Sequence, residues 1–229
     1  MDEFYQEIYS RNIGLLSLSE QRTLQQSTIA IAGLGGVGGL LAERLIRSGV
    51  GKLKISDPGQ FQKSHFNRQF GASVANLGRN KAEVVYSQMK DINPGAKIDI
   101  NKTGINTSSD ADHFVNGCDL VIDEIDFGLF KQSIYLQRAA RRRGKYYFFT
   151  SALGFGALIV IFSPQGQTLE EFDNIPPNID LETVNSINVP LEKVIPVMPS
   201  YAPPDIKQIL ESIYKGASPP PSLSIGVGL

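Results

Sequence analysis

The chain has a single cysteine among its 229 residues, which excludes an internal disulfide and a zinc site built from several thiolates. It also lacks an excess of charge of either sign. Its 22 basic and 23 acidic residues leave a net charge of −1, so no overall basic field points to nucleic acid. No apolar run approaches the ~20 residues that span a bilayer, and the N-terminus is acidic and polar, unlike a secretory signal. These absences favour a cytoplasmic protein that uses neither zinc nor a membrane.

A glycine-rich turn stands inside the most regular stretch of the sequence. An apolar run over residues 27–32 precedes it, an apolar helical pattern follows it, and a second apolar run then ends at Asp57. Gly33, Gly35 and Gly38 have the G-x-G-x-x-G spacing of a nucleotide-binding strand–turn–helix–strand unit. In such a unit the turn approaches a phosphate, the helix N-terminus offers N–H groups, and the acid accepts hydrogen bonds from ribose. The sequence therefore predicts nucleotide binding, with a turn that serves packing alone as the alternative.

Charged side chains follow the second and fourth predicted strands. Arg68 lies in the loop after Asp57, Lys81 begins the next helical pattern, and Asp123 and Asp126 follow the fourth apolar run. In open α/β sheets, ligands bind at the carboxyl ends of the strands. Phosphoryl chemistry needs positive charge around the phosphates, and a divalent metal on phosphates needs one or two carboxylates. We expect the two cations to contact phosphates and the two aspartates to face the same crevice, although each residue alone also fits a surface or helix-capping role.

The predicted fold class is a Rossmann-like α/β domain with a mostly parallel sheet, an antiparallel edge and helices on both faces. The antiparallel edge is expected because the turn at residues 154–156 is too short for a parallel crossover. We divide the chain into an N-terminal helical arm (1–26), a nucleotide-binding domain (27–162) and a loop-rich, proline-punctuated extension (163–229) packed on the same domain. Asp205–Tyr214 is the one helix that the sequence predicts in the extension.

Eight short motifs occur in the order typical of the ubiquitin-activating-enzyme superfamily. Over residues 9–162 the chain resembles the ThiF-type adenylyltransferases of that group. The resemblance implies ATP at the glycine turn, attack of a substrate carboxylate on the α-phosphorus, release of pyrophosphate and formation of an acyl-adenylate. The motifs are Tyr9-Ser10-Arg11-Asn12-Ile13, the Gly33–Gly39 loop, Gly49-Val50-Gly51, Asp57, Asn67-Arg68-Gln69, Gly78-Arg79-Asn80-Lys81-Ala82, Asn93-Pro94 and Asp123-Glu124-Ile125-Asp126.

The resemblance also implies roles for individual residues. Asp57 would bind ribose, Arg68 and Lys81 would contact phosphates, and Asp126 would hold Mg²⁺. Arg11 would reach ATP in a partner subunit, which implies a homodimer. The remaining nucleotide contacts would come from the glycine turn and from the loop around Arg68, through Gly33, Gly35, Gly36, Gly38, His65, Asn67 and Gln69.

The sequence departs from the family pattern at several points. Where the family usually has asparagine, three residues before the loop arginine, this chain has His65, which either weakens a phosphate contact or supplies an imidazole donor. The zinc-binding C-x-x-C pairs are absent, as is the cysteine with which thioester-forming members attack their substrate. Cys118 opens a predicted buried strand and is expected to be inert. The chain also ends at Leu229, where many relatives continue, which is expected of a minimal or truncated member.

Three functions remain open from the sequence. The leading hypothesis is an ATP-dependent adenylyltransferase that activates the carboxylate of a protein C-terminus, a peptide or a small acid without a thioester. The second is a tRNA threonylcarbamoyladenosine dehydratase-like enzyme that activates and cyclises a carboxylate on a modified tRNA, with residues 138–145 as a basic RNA contact. The third is a non-catalytic nucleotide-binding scaffold. An NAD-dependent oxidoreductase fits less well, because the arginine, lysine and aspartate set has no role in hydride transfer.

Overall fold

A six-stranded sheet forms the centre of the part of the chain that the structure describes. The structure is a computed structural model and describes residues 1–126, 128–153, 156–177, 179–184, 200–202 and 204–214. The strands lie in the order β3-β2-β1-β4-β5-β6, all parallel except the antiparallel pair β5–β6, which confirms the predicted fold class. They are β1 (Thr28–Ala32), β2 (Lys52–Ser56), β3 (Lys97–Asn101), β4 (Leu120–Asp123), β5 (Tyr146–Leu153) and β6 (Gly156–Phe162).

Helices cover both faces of this sheet. On one face, α3 and α4 bury Ile46, Val85 and Met89 against β1 and β2. On the other face, α5 and α6 bury Phe114 and Ile134 against β4 and β5. None of the described helices is long and apolar enough to cross a membrane. The helices are α1 (Glu3–Ile8), α2 (Leu18–Gln26), α3 (Gly36–Ser48), α4 (Lys81–Ile92), α5 (Ser108–Phe114), α6 (Phe130–Arg142), α7 (Leu169–Phe172) and α8 (Ile206–Tyr214).

The strand order reverses between β1 and β4. The chain leaves β1 for α3 on one face of the sheet and leaves β4 for α6 on the other. A crevice therefore opens at the carboxyl ends of these two neighbouring strands, and open α/β sheets bind their ligands at such a point. The glycine turn after β1 and the acidic loop after β4 (residues 124–126) border this crevice.

Two buried tyrosines fasten the N-terminal arm to the domain. The Tyr5 hydroxyl donates to the Gly49 carbonyl at 2.5 Å, and the Tyr9 hydroxyl donates to the Ile46 carbonyl at 2.6 Å. Both carbonyls belong to the C-terminal end of α3, where helix carbonyls have no partner within the helix. The arm is thus held at the end of α3 that lies opposite the glycine turn.

The extension after β6 supplies part of the second core. Leu169, Ile175 and Val184 are buried in the cluster that α5 and α6 form with β4 and β5. The predicted helix is present as α8, but the short α7 was not predicted, because a single four-residue turn carries too little periodicity to be recognised. The other parts of the extension, residues 185–199 and 215–229, lie outside the described residues.

Candidate active site

Gly33, Gly35 and Gly38 have different roles in the turn. Gly33 has φ +94°, and a Cβ on it would overlap the Glu124 carbonyl, while a Cβ on Gly38 would overlap the Gly33 carbonyl. A Cβ on Gly35 would meet only the Gln69 amide nitrogen, at 3.7 Å. Close packing therefore explains Gly33 and Gly38, whereas Gly35 leaves open backbone at the N-terminus of α3, where a phosphate finds unpaired N–H groups.

Asp57 holds the glycine turn in place. One carboxylate oxygen accepts the Leu34 N–H at 2.7 Å, and the other accepts the Gly59 N–H at 2.7 Å. The Lys81 ammonium lies 3.9 Å from the first of these oxygens, and both side chains are about 10% exposed. Asp57 therefore orders the turn in addition to any contact with ribose, which stays a prediction.

Lys81 lies at a helix position that is electrostatically unfavourable for a cation. It is the first residue of α4 and is buried, although the helix dipole disfavours a cation at an N-terminus. Asn80 caps this helix and ties it to the loop after β2: its side chain accepts the Glu83 N–H at 3.2 Å and donates to the carbonyls of Asp57 and Gly59 at 3.1 and 3.2 Å. No role was predicted for Asn80 from the sequence, although an asparagine just before a helix is a recognisable cap.

The loop after β2 presents His65, Arg68 and Gln69 to the crevice. The His65 Nδ1 accepts the Gln62 N–H at 3.1 Å, and the Arg68 Nη1 donates to Ser64 O at 3.2 Å and to Asn67 Oδ1 at 3.1 Å. Gln69 is buried beside Gly35, and its side-chain oxygen has no partner in the described structure. Asn67 therefore contacts Arg68, and Gln69 keeps an unpaired acceptor next to the turn.

The charges predicted from the sequence meet around the His65 imidazole. Burial lowers the pKa of His65, Lys81 and Arg68 lower it further, and Asp126 and Asp57 oppose them with smaller effects. Each of these four side chains therefore lies close enough to His65 to act on its imidazole electrostatically. The structure thus brings Asp57, His65, Arg68, Lys81 and Asp126 together beside the glycine turn.

The two aspartates of the acidic motif have different environments. Asp126 is exposed, but Asp123 is 0% exposed and bonds to the Tyr147 hydroxyl, the Ser133 hydroxyl and the Ile125 N–H. The expectation that Asp123 faces the crevice is therefore wrong. In β4 side chains alternate between the two faces, so Asp123 shares the α6 face with the buried Val121.

Glu124 is an ionisable group of the site that the sequence analysis left without a role. Burial raises the pKa of Glu124 to about 8, an effect that the nearby Asp123 strengthens and the hydrogen bond from Thr150 weakens. The Glu124 backbone contacts Gly33. At neutral pH this carboxyl group is therefore mostly protonated, and it adds little negative charge where a triphosphate would lie.

Cys118 lies apart from the site. It is buried before β4, its thiol contacts the Phe114 carbonyl, and burial raises its pKa. The expected inert role is consistent with this environment, since the thiolate is the reactive form.

The described residues fit a nucleotide with a metal held mainly by phosphate. They include no group of three or more histidine, cysteine, aspartate or glutamate side chains that could hold a metal alone. Mg²⁺ commonly takes one or two protein carboxylates and completes its shell with phosphate and water oxygens. The exposed Asp126 suits that role, and the open backbone at Gly35, next to the amide nitrogen of Gln69, suits a phosphate-bearing ligand.

Comparison with known proteins identifies the family. The ThiF family model matches residues 9–202. The chain belongs to the ThiF family. It is 33% identical over 135 residues to tRNA threonylcarbamoyladenosine dehydratase of Bacillus subtilis, and 32% identical over 111 residues to ubiquitin-like modifier-activating enzyme 5 of Caenorhabditis elegans. It superposes with a TM-score of 0.61 and 25% identity on E. coli tRNA N6-threonylcarbamoyladenosine dehydratase, TcdA, crystallised with AMP.

The chain spans about half the length of the first of these relatives. The match to the Bacillus subtilis dehydratase covers 59% of this chain and 52% of that protein. The match to the Caenorhabditis elegans protein covers 47% of this chain and 26% of that protein. The TcdA superposition covers 65% of the chain and 60% of that structure. Family membership confirms the resemblance seen in the sequence.

Replacing Glu124 with glutamine should stabilise the protein as pH rises. The acid form of Glu124 is favoured by folding, so its stabilising effect is complete below pH 4.5 and is lost between pH 4.5 and about 8. Glu124→Gln removes this loss and should add about 3 kcal/mol of unfolding free energy at pH 7, because pH 7 lies 2.5 units above the unfolded pKa of 4.5 and each unit contributes 1.36 kcal/mol. Urea unfolding at pH 5, 7 and 8 measures it.

The exposed Glu7 provides the matched control for this measurement. Glu7→Gln makes the same chemical change at a surface position and should alter the free energy of unfolding at pH 7 by no more than about 0.5 kcal/mol. A Glu124→Gln protein that is less stable than the wild type at pH 8 would contradict the assignment of a buried, protonated Glu124.

His65 should be neutral at pH 7 and carry its proton on Nε2. Its Nδ1 accepts a backbone hydrogen bond, which fixes the tautomer, and burial with two nearby cations holds its pKa below 6.5. Because folding disfavours protonation of His65, this group should contribute stability above pH 6.5 that declines as pH falls through its folded-state pKa. Long-range ¹H–¹⁵N NMR spectra recorded from pH 5 to 8 give both properties, and His65→Asn assigns the signal against His113. An Nδ1–H tautomer, or a midpoint above 6.5, would refute this environment.

Proposed function

We propose that the chain is a cytoplasmic, ATP- and magnesium-dependent adenylyltransferase that activates a substrate carboxylate as an acyl-adenylate. A carboxylate oxygen attacks the α-phosphorus, the bond to the leaving group breaks, and pyrophosphate departs with the bonding electron pair. The observation that carries the proposal is the convergence of Arg68, Lys81 and Asp126 on His65, beside the open turn at Gly35. Charge neutralisation is the main task of a protein in such a transfer.

The chain's own side chains divide this task between them. The Arg68 guanidinium contacts other described residues through Nη1 alone. Its remaining N–H donors are therefore left for phosphate oxygens. The Lys81 ammonium lies beyond hydrogen-bond distance of Asp57 and can contact a second phosphate. With its Nδ1 occupied, His65 offers an Nε2–H donor. Asp126 would hold Mg²⁺, which, when bound, neutralises charge on the triphosphate.

A homodimer is part of the proposal, because Arg11 lies far from the site of its own chain. The arm is fastened to the C-terminal end of α3, and the 13 residues of that helix extend about 20 Å from the glycine turn. Arg11 is exposed, and it lies among exposed apolar side chains, Ile13, Leu15 and Leu18, that a second copy would cover. We infer that Arg11 completes the site of the partner.

Activation of a carboxylate on a modified tRNA is the second candidate function. Its support is the similarity to the tRNA threonylcarbamoyladenosine dehydratases. Four of the five basic residues within 138–145 have partners in the protein: Arg138 pairs with Glu170, Arg141 donates to the Gly166 carbonyl, and Arg142 and Arg143 pair with Asp112. A tRNA that contacted this surface would therefore have to compete with these partners.

Exchange of labelled pyrophosphate into ATP tests the activity. Arg68→Ala and Lys81→Ala should each lower acid-stimulated exchange by about 10²-fold or more, because each removes a phosphate contact from a preorganised site. Arg79→Ala and Lys102→Ala are charge-matched controls at exposed positions and should retain exchange. Exchange that is indifferent to Arg68 and Lys81 would refute the assignment. ATP binding without exchange, across acids and modified tRNA, would support a scaffold instead.

Mixing two inactive variants tests the shared site. If Arg11 acts on the partner, a mixed dimer of Arg11→Ala and Lys81→Ala chains has one intact site and one site lacking both residues. An equimolar mixture should then recover about a quarter of wild-type exchange, since half of the dimers of a symmetric pair are mixed. Arg68 and Lys81 belong to the same site, so mixing Arg68→Ala with Lys81→Ala should recover nothing. Absence of recovery in the first mixture would place Arg11 outside the site.

A further inference from the structure

A small recess lies on the α6 side of the crevice, next to the acidic loop. Its cavity volume is about 30 Å³, and its wall is mainly apolar, formed by Leu129, Phe130, Phe149, Leu169 and Phe172. One water needs roughly 10–15 Å³ of such space, so the recess accommodates about two waters or one small side chain. Its size therefore restricts its occupant to a small group.

The charge of the recess excludes an anion. Its described polar lining residues are Asp126, Ser133 and Asp173, and none of the described lining residues is cationic. The Ser133 hydroxyl is already bonded to Asp123. A carboxylate or phosphate placed in the recess would therefore meet acidic side chains without a compensating positive charge, and an uncharged apolar group is the occupant that this wall favours.

Asp126 connects the recess to the proposed site of adenylation. The same residue lines the recess and acts electrostatically on His65 with Lys81 and Arg68. A carboxylate that attacks the α-phosphorus must approach it to about 3–3.5 Å. Under the proposed function, in which Asp126 holds the Mg²⁺ on the phosphates, the carbon atoms attached to that carboxylate begin on the Asp126 side of the site. The phosphate-binding side chains occupy the β2 and α4 side of the crevice, which leaves the α6 side for the substrate.

We propose that the recess binds a small aliphatic group, of methyl to isopropyl size, carried next to the carboxylate that the protein activates. This inference rests on the proposed adenylyltransferase function and specifies its substrate class. It predicts an acid with a short branched or methyl-bearing side chain near its carboxylate, and it disfavours both an unsubstituted glycine end and an anionic side chain.

Pyrophosphate exchange with a graded series of acids tests the proposal. The acids are N-acetylglycine, N-acetylalanine, N-acetylvaline and N-acetylaspartate, each with ATP and Mg²⁺ and the full chain. The ratio kcat/KM should rise from glycine to valine by about tenfold or more, as expected for burial of successive methyl groups, and aspartate should be poor. Equal rates for glycine and valine, with exchange still dependent on Lys81, would overturn the recess proposal and leave the adenylyltransferase function intact.

Variants that enlarge the recess supply a second test. Leu129→Ala and Phe172→Ala should lower the preference for valine over glycine and raise the relative rate with N-acetylphenylalanine. Leu129 is 42% exposed, so its variant should fold normally. Ile159→Ala, on the exposed face of β6, is the control and should keep the wild-type order. An unchanged order in both recess variants would overturn the proposal.

If none of these acids supports exchange, a direct binding measurement tests the recess independently of the activity. Saturation-transfer NMR then compares isobutyrate with acetate in the presence of ATP. The recess is supported if the isobutyrate methyl groups are saturated by the wild type and by Ile159→Ala but not by Leu129→Ala. In that case the recess proposal stands, although the proposed function fails toward these acids. Equal signals for isobutyrate and acetate would overturn both the recess and its inferred substrate.

Discussion

One close backbone contact governs this structure: the glycine turn after β1 lies directly against the acidic loop after β4. Gly33 contacts the Glu124 carbonyl and Gly38 contacts the Gly33 carbonyl, and a Cβ on either glycine would overlap those atoms. The contact holds the two halves of the crevice at a fixed separation. Lys81 and Arg68 lie in the α4 half, while Asp126 and the apolar recess lie in the α6 half. A side chain at Gly33 or Gly38 would therefore push the two halves of the crevice apart or distort the turn.

Two cationic and two anionic side chains act together in the crevice. Lys81 stands at a helix N-terminus, which disfavours it, and the carboxylate of Asp57 compensates at 3.9 Å. Burial raises the pKa of Asp123 and of Glu124, so these carboxyl groups hold their protons more strongly than exposed ones. Near the cationic side chains of Lys81 and Arg68, the remaining carboxylates are those of Asp57 and Asp126. Such an arrangement is preorganised, because the compensating dipoles and charges are present before any ligand arrives.

The sequence was most informative where local chemistry decides the outcome. The glycine spacing, the antiparallel edge after a short turn, and the residues Arg68 and Lys81 could all be recognised from neighbouring residues. It was less informative where the answer depended on the environment of a side chain. Asp123 was expected in the crevice, but its strand position directs it under α6 to Tyr147 and Ser133. Glu124 was noticed only as one of three acids, because its burial comes from packing between distant segments.

The amino-acid sequence alone determined the order of strands and helices around the nucleotide-binding unit, the family resemblance, and the lack of a cysteine suited to a thioester. These depend on composition, periodicity and short motifs, which act over a few residues. Only the tertiary structure decided which glycine faces the crevice, which aspartate is exposed, and that the arginines at the end of α6 are bound within the protein. Those outcomes depend on segments far apart in the chain, whose separations are set by the packing of helices on both faces of the sheet.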